Sequence, residues 1–382
     1  MLGRPERHYP AIHVGGTNGK GSTCAFIVSE LRARGLRVGL YTSPHLVSPC
    51  ERITVNDVPI GEDAFAEWTT LLKPHIERSS ASFFEATTAI ALADFAARGV
   101  DVAVVEVGLG GRLDATNVLT PLVSVVTKIA LEHTDYLGTD LKGIAREKAG
   151  IAKRGVPFVT GEPDPELRAE LVAEAERRGA APVILVDTTR DPVPDTRLGL
   201  RGPHQLANAW VAAAALKHLA ASARLPEGLP LGEEIPASFA DAYIPARFDV
   251  RGKWIFDVAH NPDGMRVLVD ALVSHQAPRP LHALVGIRSD KDWRPMLALL
   301  APAVDRLVLT MPPSIPMLQR WSVSDFDGLS DGRTAGRPPQ IMPDFDEALR
   351  EIQDGAATVL VTGSFHTVGD ALNRLPGFAP VG

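Results

Sequence analysis

The run HVGGTNGKGST (residues 13–23) has the residue types of a phosphate-binding loop in an altered spacing. The usual loop, G-x-x-x-x-G-K-[ST], cradles phosphates on backbone amides, reaches the terminal ones with Lys and holds Mg²⁺ through the hydroxyl. Gly19 and Lys20 are in place here. Val14 stands where the first Gly belongs, Gly21 occupies the hydroxyl position, and Ser22 comes one residue late. An apolar strand, AIHV (11–14), enters the loop, and Cys24, Ile27, Val28 and Leu31 leave it at helical spacing. Loop amides, a helix N-terminus and Lys20 would thus present positive charge to a phosphate. The metal needs an oxygen from elsewhere.

Strand exits supply candidates, because open α/β sheets bind ligands beyond the carboxyl ends of their strands. Glu106 interrupts the β-branched run VDVAVVEVG (100–108), where a carboxylate is well placed to coordinate Mg²⁺, with a salt-bridged strand end as the less favoured alternative. YTSPHL (41–46) ends another strand with Thr42, Ser43 and His45, either an ordinary exit or a source of the missing hydroxyl. LEHTDYLG (131–138) clusters Glu132, His133 and Asp135 beyond the strand PLVSVVTKI (121–129). TKIA (127–130) lies where a GTPase carries N-K-x-D, and without the Asn and Asp it gives guanine no support. By itself Lys148, beside Glu147, reads as an exposed helix charge. GLGGRLDATN (108–117) invites a dinucleotide reading, but Leu113 stands where the fingerprint needs its third Gly. In the second half, IFDVAHNPDG (255–264) puts Asp257, His260 and Asn261 at a strand exit, with helix capping as the alternative for Asn261. Arg247 offers a cation in the preceding linker, and VTGSFHTVG (361–369) makes a further strand–turn–helix element.

The elements that must position these residues alternate between strand and helix, which implies a doubly wound α/β sheet. The helices include FFEATTAIALADFAARG (83–99), LKGIAREKAGIAKRG (141–155) and the Ala-rich HQLANAWVAAAALKHLAASA (204–223). A Pro- and Gly-containing stretch, 224–248, reads as a linker, after which the alternation restarts in a smaller α/β domain. The expected division is 1–246, carrying the phosphate loop, and 247–382. Residues 311–340 read as an irregular loop. Length (382 residues) and 45% hydrophobic content support two packed cores. A net charge of −7 argues against a nucleic-acid carrier. No apolar run approaches the roughly 20 residues that span a bilayer, and Cys24 and Cys50 form no disulfide framework. A soluble protein of the reducing cytosol is expected, with no signal peptide in MLGRPERHYP.

Taken together and in order, HVGGTNGKGSTCAF, GLYTSPHL with ERI, FFEATTAIAL, EVGLGGRLDATN, HTDYLG, EKAGI, LANA, PARF, DVAHNPDG and VTGS resemble the folylpolyglutamate synthase and dihydrofolate synthase family, relatives of the Mur peptide ligases. The resemblance implies a Mur-ligase-like P-loop domain followed by a Rossmann-like C-terminal domain that closes over ATP and glutamate. It implies an ATP-dependent ligase, in which a folate or dihydropteroate carboxylate becomes an acyl phosphate and is attacked by the amine of L-glutamate, releasing ADP and phosphate.

By matching position, the resemblance assigns phosphate binding to Asn18, Gly19, Lys20, Gly21 and Ser22. Asn208, Arg247 and Asp257 match other ATP contacts, with His260 near the adenosine. Ser43 and Glu106 match ligands of one Mg²⁺; Glu106, His133 and Lys148 match a second site, with Lys148 carbamylated by CO₂. Ser82, Phe83, Phe84 and Glu85, with Leu113, Asp114 and Ala115, match the pterin-binding segments, Phe84 stacking on the ring. Lys20, Glu106, His133 and Lys148 would carry catalysis in a monomer acting on small molecules, without nucleic acid or membrane. Glu132 replaces a common Asp, and Gly15 a common Ala.

Two other readings remain. A Mur-type ligase acting on a UDP-sugar peptide is expected to carry an extra N-terminal domain, for which a loop reached by residue 15 leaves no room. A non-catalytic P-loop nucleotide-binding protein would not need three candidate metal ligands near the loop.

Overall fold

A computed structural model of the chain describes residues 2–192, 196–220, 225, 234–326 and 339–377. It divides into two compact units, one made of Met1–Gly199 with Gln205–Tyr243 and the other of Leu200–His204 with Ile244–Gly382. Among the described residues no helix is long and apolar enough to cross a membrane.

The first unit is built on an eight-stranded sheet. Its strands are β1 (Ala11–Gly15), β2 (Val38–Tyr41), β3 (Ile53–Val55), β4 (Val58–Pro59), β5 (Val102–Glu106), β6 (Val123–Val126), β7 (Phe158–Thr160) and β8 (Val183–Leu185), in the order β4-β3-β2-β5-β1-β6-β7-β8. From β2 to β8 every pairing is parallel, while β3 and β4 add an antiparallel edge. The central strands β1, β5 and β6 are buried throughout, as their continuous β-branched runs require. The helices are α1 (Lys20–Ala33), α2 (Glu62–Ser79), α3 (Phe83–Ala97), α4 (Thr134–Leu137), α5 (Leu141–Ala149), α6 (Pro165–Arg177) and α7 (His204–Ala220). One core packs Tyr41, Ile53, Ile90, Phe95 and Val105 together, and another packs Val126, Ile144, Ile151, Phe158 and Leu171.

The second unit carries a six-stranded sheet, ordered β13-β12-β11-β14-β10-β9. Its elements are β9 (Asp249–Arg251), β10 (Trp254–Phe256), α8 (Pro262–His275), β11 (Leu281–Val285), α9 (Trp293–Leu300), β12 (Arg306–Leu309), β13 (Gln340–Ile341), α10 (Phe345–Glu351), β14 (Thr358–Thr362) and α11 (Phe365–Arg374). Among the described residues only β9 runs antiparallel. Leu268, Met296, Leu300, Leu307 and Leu360 form its core.

The α/β alternation agrees with the sequence reading, and several boundaries differ. The helix after the phosphate loop begins at Lys20, because Gly19 at φ +91 turns the chain into it. The helix expected over 141–155 ends at Ala149. At Gly150 the chain passes so close to Arg112 that a Cβ would overlap its backbone and side chain. The hairpin β3–β4 is an added element: Asn56 and Asp57, both at positive φ, make the tight turn that an Asn-Asp pair between β-branched residues favours. The last part of the Ala-rich segment (221–223), most of 224–233 and residues 327–338 lie outside the described residues. The described part of 311–340 includes two short 3₁₀ turns, Met317–Gln319 and Val323–Phe326, before β13.

Candidate active site

Four strands of the first sheet, β2, β5, β1 and β6, are adjacent and parallel, so their carboxyl-end loops emerge side by side. The phosphate-type loop leaves β1 and is fastened to the exit of β6. Thr17 N–H donates to Lys128 O at 2.7 Å, and the Thr17 hydroxyl donates to Ala130 O at 3.1 Å. The Thr127 hydroxyl lies 3.2 Å from Gly15 O and 2.8 Å from Asn18 O. Gly16, at φ +135, leaves no room for a Cβ, which would overlap that hydroxyl. A Cβ at Gly19 would likewise meet the Asn208 side-chain oxygen. The TKIA segment, unfit for guanine, thus serves as a brace for the loop. Lys20 folds its ammonium back onto Thr17 O at 2.9 Å. Ser22 is buried in the first turn of α1, and Gly21 follows Lys20 in the same turn.

Glu106 ends β5 and is only 3% exposed. Its Oε2 accepts the backbone N–H of Ser43 at 3.2 Å, so β2 and β5 bring together the two residues matched to one metal. Lys148, on α5, is 5% exposed, and its ammonium nitrogen donates to Gly16 O at 2.9 Å. The reading of Lys148 as an exposed charge is therefore wrong: α5 turns this residue inward under the phosphate loop. Burial, aided by the Lys20 charge, pushes its pKa down to about 7 against the opposing pull of Glu132 and Asp114. His133 precedes α4 at φ +53, with its Nε2 3.7 Å from Glu132 Oε1. No three His, Cys, Asp or Glu side chains gather as a metal cluster among the described residues. The metal sets read from the sequence include a serine hydroxyl and a lysine, so they fall outside that kind of cluster.

The segments matched to the pterin lie next to this edge. Phe84 rests on Gly108, where a Cβ would overlap its ring, with the Tyr41 ring centroid 5.9 Å away. Phe83 is exposed, over the Arg52 guanidinium at 5.2 Å and edge-on to His45 at 6.3 Å. Arg52 is buried and donates to His45 Nδ1 at 2.8 Å. His45 was a strand-exit candidate, but Arg52 did not stand out by spacing, because an interior arginine is recognised only by its burial. Ser82 and Glu85 form a reciprocal capping box at the start of α3, with Ser82 N–H donating to Glu85 at 2.7 Å and Glu85 N–H to Ser82 Oγ at 3.2 Å. The S-x-x-E spacing of SFFE is itself the signal for that cap. Asp114 orders its own loop, taking the N–H groups of Gly108, Leu109 and Thr116. Leu113 is 79% exposed, and Ala115 begins the 3₁₀ turn Ala115–Val118. Two glycines of GLGG, Gly108 and Gly111, serve close packing, and Gly110 turns the chain at φ +68. A Cβ on Gly111 would strike the backbone of Glu147 and Lys148, so the loop lies directly on α5.

In the second unit, Asp257 caps the loop after β10 by accepting the N–H groups of Phe248 and Ala259, both at 2.9 Å. Burial raises its pKa, against the opposing effect of Arg247 and those two N–H donors. Phe365, not singled out from sequence, gathers two expected residues: the Arg247 guanidinium lies 5.1 Å from its ring centre and the His260 ring 5.6 Å. Asn261 N-caps α8 through Gly264 N–H at 2.7 Å, as the capping reading expects. Ser364 similarly caps α11.

Residues 14–180 match the Mur ligase middle domain, and residues 246–365 match the Mur ligase glutamate ligase domain. The chain is 32% identical to the folylpolyglutamate synthase of Lacticaseibacillus casei, over 98% of this chain and 92% of that one. It is 36% identical to the dihydrofolate synthase/folylpolyglutamate synthase of Escherichia coli, over 94% and 85%. Among solved structures, the Mycobacterium tuberculosis folylpolyglutamate synthase complexed with ADP superposes with a TM-score of 0.84 at 32% identity, covering 97% of this chain and 91% of that one. A bifunctional folylpolyglutamate synthase/dihydrofolate synthase with Mn, AMPPNP and L-glutamate bound gives 0.80 at 32% identity, covering 97% and 90%. The chain belongs to the folylpolyglutamate synthase and dihydrofolate synthase family of Mur ligases.

Proposed function

We propose that this protein joins the carboxylate of a reduced folate, or of dihydropteroate, to the amine of L-glutamate at the expense of ATP. The observation that carries the reading is the convergence on one sheet edge of a phosphate loop with its lysine, the Ser43–Glu106 pair and the buried Lys148. In this reading a substrate carboxylate oxygen attacks the γ-phosphorus and ADP leaves. The glutamate nitrogen then attacks the acyl carbon, phosphate leaves, and the amine gives up a proton. An uncatalysed carboxylate offers glutamate a very poor leaving group, which phosphorylation corrects.

The residues present fit divalent metal. Ser43 and Glu106 would supply hard oxygen ligands of the kind Mg²⁺ prefers. A second site would use Glu106, His133 and a carbamylated Lys148. Bound Mg²⁺ would offset the charge of the transferring phosphoryl group. A near-neutral, dry amine at Lys148 is the form of lysine that adds CO₂, which supports the carbamate. The chain's own tasks are distinct. The loop amides of Asn18, Gly19, Gly21 and Ser22 would cradle phosphates, Lys20 would leave Thr17 O for a phosphate oxygen, and Asn208 would back the loop at Gly19. Arg247, Asp257 and His260 of the second unit are assigned to the nucleotide. Phe84, Ser82, Phe83 and Glu85, with Leu113, Asp114 and Ala115, are assigned to the pterin. We place the protein in the cytosol as a monomer; the free thiols of Cys24 and Cys50 fit a reducing compartment.

Purified protein with Mg²⁺, bicarbonate, ATP and L-glutamate is expected to release phosphate only when tetrahydrofolate or dihydropteroate is added. Parallel assays of the two pterins decide between one activity and two. No release with either would overturn the proposal.

A further inference from the structure

The strand that enters the phosphate loop buries a histidine that none of these roles uses. His13 is fully buried in β1, with its Nε2 2.7 Å from Thr116 Oγ1. The single hydroxyl proton of Thr116 is already committed, since Thr116 donates to Asp114 Oδ1 at 2.5 Å. Thr116 Oγ1 must therefore accept from His13, which fixes the imidazole as the neutral Nε2–H tautomer. The other ring nitrogen, Nδ1, is buried without a hydrogen-bond partner. A proton there would have no acceptor. Burial first, and then the Lys153 charge, push the pKa down to about 3, so His13 is a permanent neutral donor at working pH.

The chain of bonds leads to the substrate loop. Asp114 Oδ1 also takes Thr116 N–H, and its Oδ2 takes Gly108 N–H at 3.1 Å and Leu109 N–H at 2.8 Å. Gly108 is the residue on which the Phe84 ring rests. The far end of the same loop is held by Asn117, which donates to Gly150 O at 3.2 Å and accepts Lys153 Nζ at 2.8 Å. In the middle of the loop Arg112 donates its backbone N–H to Glu147 O at 2.9 Å and its Nε to Glu147 Oε1 at 2.8 Å. These anchors tie residues 108–117 to α5 and the turn after it, whereas the His13 anchor runs into the strand of the phosphate loop.

We propose that His13 is a positioning residue: through Thr116 and Asp114 it fixes loop 108–117 to β1 and so sets the affinity for the pterin substrate without touching it. The proposal rests on the reading that Phe84 and residues 113–115 border the pterin. An ordinary core histidine would affect stability alone. A positioning histidine affects one KM more than the other.

The test measures kcat and the separate KM values for tetrahydrofolate and ATP in His13→Leu, His13→Gln, Thr116→Val, Thr116→Ser and Phe84→Ala. His13→Leu and Thr116→Val are expected to raise the tetrahydrofolate KM about tenfold, the scale of one lost buried hydrogen bond, with the ATP KM within about twofold. His13→Gln, whose amide can reach where Nε2 stood, and Thr116→Ser should recover most of that loss. The Leu/Val double variant should be no worse than the worse single, because both cut one chain. An unmoved tetrahydrofolate KM in both deletions, with Phe84→Ala raising it, overturns the role of His13. An unmoved KM in all three overturns the pterin placement and the proposal with it. Should His13→Leu fail to fold, Thr116→Val, which keeps the volume, carries the kinetic test. Nitrogen NMR on the native protein then adds a second: a non-titrating Nδ1 lone pair from pH 5 to 9 is expected, and a protonated Nδ1 overturns the assignment.

Discussion

Ser43 donates its backbone N–H to Glu106 Oε2 across 3.2 Å, joining the exits of two neighbouring parallel strands. On its other side, Glu106 is in register with Val14 of the strand that enters the phosphate loop. One buried carboxylate therefore stands between a serine exit and the loop. A metal hydroxyl displaced from the position after Lys20 to Ser43 needs an arrangement of this kind.

Glu106→Gln keeps the shape and an acceptor for Ser43 but removes the charge. Phosphate release at saturating substrates should fall by about 100-fold or more, the scale seen when one electrostatic partner of a transition state is lost. Ser43→Ala should instead raise the Mg²⁺ concentration needed for half-maximal rate by about tenfold. A Mg²⁺ titration of both variants checks this, and a native profile in Ser43→Ala would remove that residue from the metal site.

Lys148 gives a pH prediction. Only a neutral amine adds CO₂, and with a pKa of about 7 the neutral fraction falls as pH drops below 7. Bicarbonate-stimulated activity should decline through that region, and Lys148→Arg should show none at any pH. Carbon NMR with labelled bicarbonate reads the adduct directly. Stability follows the same shift in bicarbonate-free buffer. The unfolded chain holds this proton up to about pH 10.5 and the folded chain only to about 7, so unfolding takes up a proton between them and stability rises with pH there. Lys148→Met should flatten that rise in urea unfolding at pH 7 and 9.

Thr127→Val removes a hydroxyl that holds Gly15 O and Asn18 O while keeping the side-chain volume. The ATP KM should rise about tenfold, equivalent to roughly 1.4 kcal/mol for a lost internal bond. Gly16→Ala should be more severe, because its φ and the space beside Thr127 both exclude a Cβ. ADP titration calorimetry on both variants gives the comparison.

Ser82→Ala removes the N-cap of α3 and should lower unfolding stability by about 1 kcal/mol. Urea denaturation measures it. A pterin KM that rises as well would show that the same serine serves the substrate, whereas stability loss alone would leave it as a cap.

Several of these features were legible in the sequence. The loop glycines, Lys20 and the β-branched runs placed phosphate chemistry at the end of a buried parallel strand, and Asn261-Pro262 announced the cap of α8. The SFFE capping box and the Asn56-Asp57 hairpin turn also had local signals, though neither was among the expectations drawn from the sequence. Other features were not legible. Lys148 resembled any helix lysine, because its periodicity does not say which side of α5 faces the phosphate loop. Phe365 and Arg52 acquired their meaning from neighbours more than 30 residues away in sequence, or from burial.

By itself, the sequence determined the local chemistry: where strands end, which turns need glycine, which residues cap helices, and that a phosphate loop lacks its hydroxyl. Those are short-range matters of φ/ψ, spacing and hydrogen-bond supply. Tertiary structure decided which strand exits are neighbours, and so that Ser43 meets Glu106, that Lys148 loses its solvent and with it much of its basicity, and that His13 reaches Asp114 through Thr116. Sheet order and burial set these outcomes, because desolvation and contact between distant residues arise only when the chain has packed.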